Sequence, residues 1–361
     1  MPKILVGKRD ALGDIISITP FLEVLRRSFP KAHITYVVGS WSQAVLKNNP
    51  NIDELIVVDS GKWQGRLSRF KERSKLVKKL KKYGFDKVFI LQGPAPFHFW
   101  EKFSEQIGAK ERIGFRNHGA KTTFTDSVEL PEHDGHLFKT LDKNRAEHYL
   151  DLLREVGIKD TTNQGNRLYW QPNDEEFAEI FFTKNGLTGS KVVTIAPGGA
   201  QNPGMKQLVK RWPLERYIKV AEHLIRETGA KILLIGGPSD HEVNQKLLKG
   251  ISRDMQKSAV DSAGEANIHQ SATLIEKSDL FIGNDSGPLH IASTTKTLII
   301  AIFGPTNPVV DGPYKLNGKL LFHETDDSPC YTMNCEGHTP CIENVSIKEV
   351  IGEATKLLNQ S

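Results

Sequence analysis

Lys210 and Arg211 stand side by side just before Trp212-Pro213 and an amphipathic stretch. Two adjacent cations ahead of a helix that opens with proline are placed to hold an anion. A second segment with chemical content is Asp285-Ser286-Gly287-Pro288. Residues 279–284 ahead of it read as a short buried strand, and Leu289-His290-Ile291-Ala292 behind it begins a helix. Gly287 can take backbone conformations closed to other residues. Pro288 suits a first helical turn, where its missing N–H would have no partner, and Asp285 and Ser286 are types that cap helix starts. Exposed amides and the helix dipole make such a turn, at the carboxyl end of a parallel strand, a seat for phosphate. The plainer alternative is a capped strand-to-helix turn with no ligand, which any α/β protein contains. Asp14, in Ala11-Leu12-Gly13-Asp14, follows the apolar start Lys3-Ile4-Leu5-Val6 and would stand at the open end of the first strand. Its own alternative is a helix cap. Two more loops end apolar strands in the same way: Ala196-Pro197-Gly198-Gly199, and Phe303-Gly304-Pro305-Thr306 after residues 298–302.

These loops need strands that end where they begin. Apolar runs alternate with amphipathic stretches along the chain, which predicts an α/β protein with parallel sheets and helices on both faces. Strands are expected near 3–7, 33–38, 55–58 and 86–91, with helices near 14–28, 41–48 and 66–83. In the second half strands are expected near 191–196, 231–236, 258–261, 279–283 and 298–303, with helices near 213–228, 239–249, 270–277 and 287–294. Residues 160–175 are polar and punctuated by Gly and Pro, as in a linker or a linker plus an edge strand. At 361 residues the chain is long for one core. The expected division is 1–170, 171–345, and a terminal amphipathic helix within 346–361 that can pack back on the first domain.

Composition narrows the class. Hydrophobic residues at 38% and charged residues at 25% are those of a globular enzyme. No stretch is apolar enough to cross a bilayer, and Lys3, Lys8, Arg9 and Asp10 interrupt the N-terminus early, unlike a signal peptide. Three cysteines are too few for a disulfide framework, so a cytoplasmic location is expected. The spacings of Cys330, Cys335 and Cys341, with His323 and His338 nearby, fit none of the usual paired zinc-ligand patterns. Free or partly buried thiols are expected. Gly13 stands alone in its turn, so the dinucleotide fingerprint is absent, as is the P-loop signature. Asp326-Asp327 is adjacent rather than alternate and gives no metal-binding Asp-x-Asp pair.

Charge is uneven. Residues 1–160 carry 28 of the 48 Lys and Arg and 20 of the 43 Asp and Glu, a net +8, against −3 for the rest. The densest run, within 62–87, holds Arg66, Arg69, Lys71, Arg73, Lys75, Lys78, Lys79, Lys81 and Lys82 on a predicted helix whose Leu67, Phe70, Val77, Leu80 and Tyr83 recur near helical spacing. Such a helix is either core-packed with a solvated basic face or a surface for anionic lipid or a phosphorylated acceptor. No recognition motif or aromatic platform supports specific nucleic-acid binding.

Taken in order, ALGD (11–14), PGGA (197–200), KRWP (210–213), DSGPLH (285–290) and FGPT (303–306) resemble glycosyltransferase family nine, the ADP-heptose:lipopolysaccharide heptosyltransferases and their relatives. The resemblance runs from about residue 3 to about residue 315. It implies the GT-B architecture, two doubly wound Rossmann-like domains facing across a cleft, the first binding the acceptor and the second the nucleotide sugar. It further implies inverting, metal-independent transfer of a sugar, heptose from ADP-heptose foremost, to a lipopolysaccharide core or similar lipid-linked or phosphorylated glycan, with no cofactor. By this resemblance Asp14 is the catalytic base, Lys210 contacts the diphosphate, and Asp285, Ser286, Gly287 and His290 line the donor pocket. A core histidine is the alternative for His290, and an ordinary surface lysine for Lys210. Asp240, in Gly236-Gly237-Pro238-Ser239-Asp240, is the candidate for a carboxylate contacting the nucleoside. The chain departs from the pattern at Gln201-Asn202-Pro203-Gly204-Met205-Lys206-Gln207, which is insertion-like. Two other classes compete: a non-catalytic scaffold that binds anionic lipid or nucleic acid through the 62–87 face, and a nucleotide-sugar epimerase, which needs no acceptor.

Overall fold

The computed structural model describes residues 1–59, 66–92, 99–132, 137–202, 205–332, 335 and 340–360. Lys62, Pro203, Gly204 and His338 therefore lie outside the described residues, and of residues 66–70 only the helical backbone is described. The chain divides into two compact units, Met1–Gly165 and Asn166–Ser361.

The first unit holds β1 (Lys3–Gly7), β2 (His33–Gly39), β3 (Glu54–Val58), β4 (Lys87–Ile90), β5 (Glu111–Arg116) and β6 (Asp126–Glu129) in one sheet of order β3-β2-β1-β4-β5-β6. Every pairing in it is parallel, with Ile4 matched to Ile34 on one side and to Lys87 on the other. Central strands buried on both faces must be apolar throughout, which is why Ile4, Leu5 and Val6 are all inaccessible. The direction of strand addition reverses between β1 and β4. Open sheets of this kind bind ligands at the carboxyl ends of the strands at such a reversal. The ALGD turn leaves β1 at that end.

Residues 14–28 form two helices rather than one, Leu12–Ile16 and Thr19–Ser28. Pro20 has no N–H to give the Ile16 carbonyl, and the Thr19 hydroxyl takes that carbonyl instead at 2.7 Å. At 41–48 only a short 3-10 turn, Gln43–Leu46, forms, and Asn48 in the left-handed region with Pro50 after it stops any continuation. The helix Arg66–Lys81 buries Leu76 and Leu80 in a core with Leu5, Val88 and Phe103, while Lys71, Lys75, Lys78, Lys79, Lys81 and Lys82 are exposed.

The second unit repeats the plan. Its strands are β7 (Val192–Ala196), the hairpin β8 (Gln201–Asn202) and β9 (Met205–Lys206), β10 (Lys231–Leu234), β11 (Ala259–Asp261), β12 (Leu280–Asn284), β13 (Leu298–Ile302) and β14 (Gly318–Leu321). The main sheet runs β11-β10-β7-β12-β13-β14, all parallel, with the reversal between β7 and β12. PGGA leaves β7 and DSGP leaves β12, so both loops emerge at the reversal. The insertion-like Gln201–Gln207 stretch is accounted for by the β8–β9 hairpin, closed by the Gln207 amide on the Ala200 carbonyl at 2.9 Å.

Residues 160–171 carry no helix or strand, and the helix Pro172–Lys184 then starts from a capping box of Gln171 and Asp174. No edge strand forms there. The contact boundary at 165/166 falls inside this linker, five residues before the expected one. The last helix, Ile347–Leu358, puts Val350, Ala354, Leu357 and Leu358 into the same core as Trp212, Tyr217 and Ile300. It is thus part of the second unit's own core. No helix among the described residues is long and apolar enough to cross a membrane.

Candidate functional site

Trp212 is the anchor from which the second unit's site is built. Its indole is buried, meets Tyr217 edge-on at 5.0 Å between centroids, and donates to the Val345 carbonyl at 2.9 Å. Pro213 caps the following helix, Leu214–Thr228, instead of opening it. With Trp212 locked, the two preceding cations have fixed origins. Arg211 donates twice to the Gly199 carbonyl, at 3.1 and 2.8 Å, and lies 3.4 Å from an Asp240 oxygen. Burial lowers the Arg211 guanidinium from its ordinary value, against the pull of Asp240.

Asp240 braces two glycine loops. One oxygen accepts the Gly199 amide at 2.8 Å and the other the Gly237 amide at 3.0 Å. A Cβ on Gly198 would lie 2.4 Å from Asp240 Oδ1, and one on Gly236 2.6 Å from its Cβ, so both glycines are required for this approach. Asp240 is buried with both oxygens engaged by the loops. Asn284 ties the same loop to β12 by donating to the Gly198 carbonyl at 3.1 Å while accepting from the Tyr217 hydroxyl at 3.0 Å.

Asp285 is the centre of the charged cluster. Its Oδ2 accepts from the Lys210 ammonium and from the Thr306 hydroxyl, each at 2.7 Å, and its Oδ1 lies 3.9 Å from His290 Nε2. The Lys210 and Asp285 side chains are 15% and 7% exposed. Burial pushes the Asp285 carboxyl up, but Lys210 and His290 beside it, and the hydrogen bonds from Lys210 and Thr306, hold it below the usual carboxylate range. Lys210 is thus no ordinary surface lysine. Ser286 is the N-cap of the six-residue helix Gly287–Ala292, yet neither it nor Asp285 supplies a capping side chain. The Ser286 side chain instead faces Gly199, where a Cβ would stand 2.5 Å from its own. The left-handed freedom expected at Gly287 is used by Gly199, at φ +75°.

In the first unit, Asp14 sits in the first turn of Leu12–Ile16, whose N-cap is Ala11 with no side-chain cap. Asp14 therefore does not cap. Its carboxylate pairs with Arg145, the first residue of the helix Arg145–Glu155, and the Arg145 guanidinium lies 4.4 Å from the Phe138 ring. Lys8, at the end of β1, is buried, pairs with Asp10 at 2.8 Å, and lies 5.2 Å from the Tyr149 ring. Burial opposes its charge, but Asp10, Tyr149 and Asp14 hold the ammonium protonated well above its ordinary range. Burial pushes the phenols of Tyr36 and Tyr149 up in the same cluster. The result is a cluster of paired charges at the strand reversal, around Asp14.

The structure brings Lys210 and His290 to Asp285, with Ser286 and Asp240 on either side of Gly199. Thr306, Asn284 and Arg145 went unrecognised. Thr306 had a signal, its place in the FGPT loop, whereas Arg145 lies 131 residues from Asp14 and had none. Cys330, Cys335 and Cys341 are partly buried free thiols, and burial with the two neighbouring thiols pushes Cys341 up to about 11. Among the described residues no group of three His, Cys, Asp or Glu side chains is arranged to hold a metal ion. Asp326 and Asp327 are exposed.

The chain is similar to known proteins over nearly its whole length. Lipopolysaccharide heptosyltransferase 2 of Escherichia coli K12 is 24% identical over 367 residues, covering 99% of each chain. The crystal structure of a family 9 glycosyltransferase from Veillonella parvula superposes with a TM-score of 0.83 at 29% identity, covering 100% of this chain and 98% of that one. The E. coli heptosyltransferase WaaC with ADP superposes with a TM-score of 0.69 at 14% identity, covering 98% and 99%, and shares the fold. The two reversed six-stranded sheets are those of GT-B heptosyltransferase structures. The model of glycosyltransferase family 9 (heptosyltransferase) matches residues 73–339, a span that takes in PGGA, KRWP, DSGPLH and FGPT. The chain is accordingly an enzyme of glycosyltransferase family 9.

Proposed function

We propose that this enzyme transfers a sugar with inversion from a nucleoside diphosphate donor, ADP-heptose first among the candidates, to a hydroxyl of a lipopolysaccharide-core-type glycan, without a metal ion. The observation that carries the proposal is the buried Lys210–Asp285 pair at the strand reversal of the second unit, beside the PGGA loop. Asp285 holds the Lys210 ammonium at this strand end, and a fixed cation of this kind suits a diphosphate. As the acceptor oxygen bonds to the anomeric carbon from one face, the bond to the diphosphate breaks on the other. Lys210 and Arg211 meet the charge that collects on the leaving oxygens. Asp14 takes the acceptor's proton, and Arg145, paired with that carboxylate, orients it beforehand. WaaC with ADP, and the same enzyme with ADP-2-deoxy-2-fluoro heptose, support a donor of this class.

The exposed lysines of Arg66–Lys81 and its C-terminal flank support an acceptor presented on an anionic lipid surface, at the cytoplasmic face of a membrane. The test is a panel of nucleotide sugars with and without a lipopolysaccharide-core acceptor, read as nucleotide release in buffer containing EDTA. ADP release from ADP-heptose that depends on acceptor is the expected result. Turnover without acceptor would indicate an epimerase-type or hydrolytic activity, and a strict magnesium requirement would overturn the metal-free assignment.

A further inference from the structure

Two donors converge on Asp285 Oδ2, and only one of them belongs to the residue assigned to the diphosphate. The other, the Thr306 hydroxyl, lies at the same 2.7 Å, and Thr306 is 2% exposed. We infer that Thr306 is a positioning residue, whose hydroxyl fixes the rotation of the Asp285 carboxylate so that this carboxylate holds Lys210 in place for the diphosphate. The inference rests on the proposed role of Lys210.

The reason lies in which groups are stiff. An aspartate carboxylate turns through a broad torsional well, and a lysine ammonium ends a flexible four-carbon stem. Neither can serve as a reference for the other. Thr306 can, because it is β-branched and its loop is pinned on both sides. Before it, Gly304 packs so closely on Ile342 that a Cβ would lie 2.6 Å from the Ile342 Cβ, and the Pro305 carbonyl accepts the Tyr331 amide at 2.8 Å. After it, the Asn307 amide donates to the Tyr331 hydroxyl at 3.1 Å, and that hydroxyl donates to Asp311 at 2.5 Å. Asn307 in turn caps Pro308–Asp311. Tyr331 therefore staples both flanks of Thr306, while the Asp285 amide on the Ile302 carbonyl, at 3.2 Å, keeps the two strand ends in register. A neutral hydroxyl is also the right chemistry for this position. It satisfies the carboxylate without adding a second cation that would compete with Lys210 for the diphosphate.

The experiment uses the full chain, with ADP-heptose turnover and ADP affinity by calorimetry as readouts. Thr306→Val keeps the shape and the β-branch and removes the donor. It is expected to lower kcat about ten- to a hundredfold, the weight of one hydrogen bond to a charged group, with acceptor KM unchanged. Thr306→Ser restores the hydroxyl and is expected to recover most of that loss. In a Lys210→Met background, Thr306→Val is expected to cost less than about threefold more, because its effect passes through Lys210. Equal impairment of Val and Ser variants with a lowered Tm would show a merely structural role and overturn the inference. So would a Thr306→Val loss that multiplies in full onto a crippled Lys210→Met enzyme, leaving the Lys210 assignment standing. A Lys210→Met enzyme of near-wild-type turnover would instead overturn the diphosphate role itself, and the inference with it.

Discussion

Replacing Lys210 by Met removes the ammonium while keeping most of the stem, and the structure sets the size of two separate effects. The first is on stability. The ion pair is 2.7 Å long between side chains 15% and 7% exposed. Its gross Coulomb attraction is about 6 kcal/mol at an effective dielectric constant of about 20. Much of that offsets desolvation, so the pair's net worth is smaller. Breaking it, however, leaves a buried carboxylate with Thr306 and His290 as its side-chain partners among the described residues, and such uncompensated charges cost about 3–5 kcal/mol. Asp285→Asn should cost less, since the lysine stem can carry its ammonium toward water. Lys210→Met/Asp285→Asn should then recover about 2 kcal/mol relative to the sum of the single changes. The second effect is on rate. Loss of a contact to a developing anion costs about a hundred- to a thousandfold, and the double variant should regain none of it, because neutralising Asp285 restores no charge to the leaving group.

Acidification separates the two further. In the wild type the Asp285 carboxyl is held below its usual value, so its contribution is fully present above about pH 4 and is lost as pH falls through the lower folded value. In Lys210→Met the chief depressing charge is gone and burial raises the carboxyl. The folded state then binds a proton more readily than the unfolded one, and the stability deficit should narrow as pH falls from neutrality toward the ordinary carboxylate range. Urea unfolding across that range and ADP release at neutral pH measure both effects. A coupling energy below about 0.5 kcal/mol would show that the pair does not form in solution. Turnover restored by Asp285→Asn would show that Lys210 serves only as a counter-ion.

Asp14→Asn should lower transfer about a hundred- to ten-thousandfold with ADP affinity unchanged, since Lys210 and Asp285 belong to the other unit; retention of most turnover would place the base elsewhere. Because Asp14 pairs with Arg145 and supplies no helix cap, the variant's Tm should fall by what that pair and the pull on Lys8 contribute. Gly199→Ala forces a Cβ to 2.5 Å from Ser286 at φ +75°, so about 1–3 kcal/mol of strain and weakened ADP binding are expected, readable by thermal shift and calorimetry. Cys341, pushed up to about 11, should alkylate at pH 8 on the order of a hundredfold more slowly than a free thiol of ordinary pKa, as timed labelling and peptide mass spectrometry would show.

The inner strands other than β5, and the loops that leave them, were legible in the residues alone. A strand buried on both faces must be apolar along its whole length, as Ile4-Leu5-Val6 and Leu280-Phe281-Ile282 are, and a loop that turns there must carry glycine, proline and polar groups. Edge strands escape this logic. β6 and β14 are half exposed, with Asp126-Ser127-Val128-Glu129 and Gly318-Lys319 showing no run of apolar residues, and their partners across the sheet, not their own composition, make them strands. The same holds within the site. Residue type and motif order pointed to Lys210, Asp285 and Asp14 because charge near a strand end is a local property. Which partner each charge meets is not local. Arg145 reaches Asp14 from 131 residues away, Thr306 reaches Asp285 across two strand ends, and Asp240 turned out to hold glycine loops because only folding brings Gly199 and Gly237 to its two oxygens. A sequence sets what a side chain can donate, accept or neutralise; the packing of strand ends decides which of those capacities are already spent and which remain for a ligand.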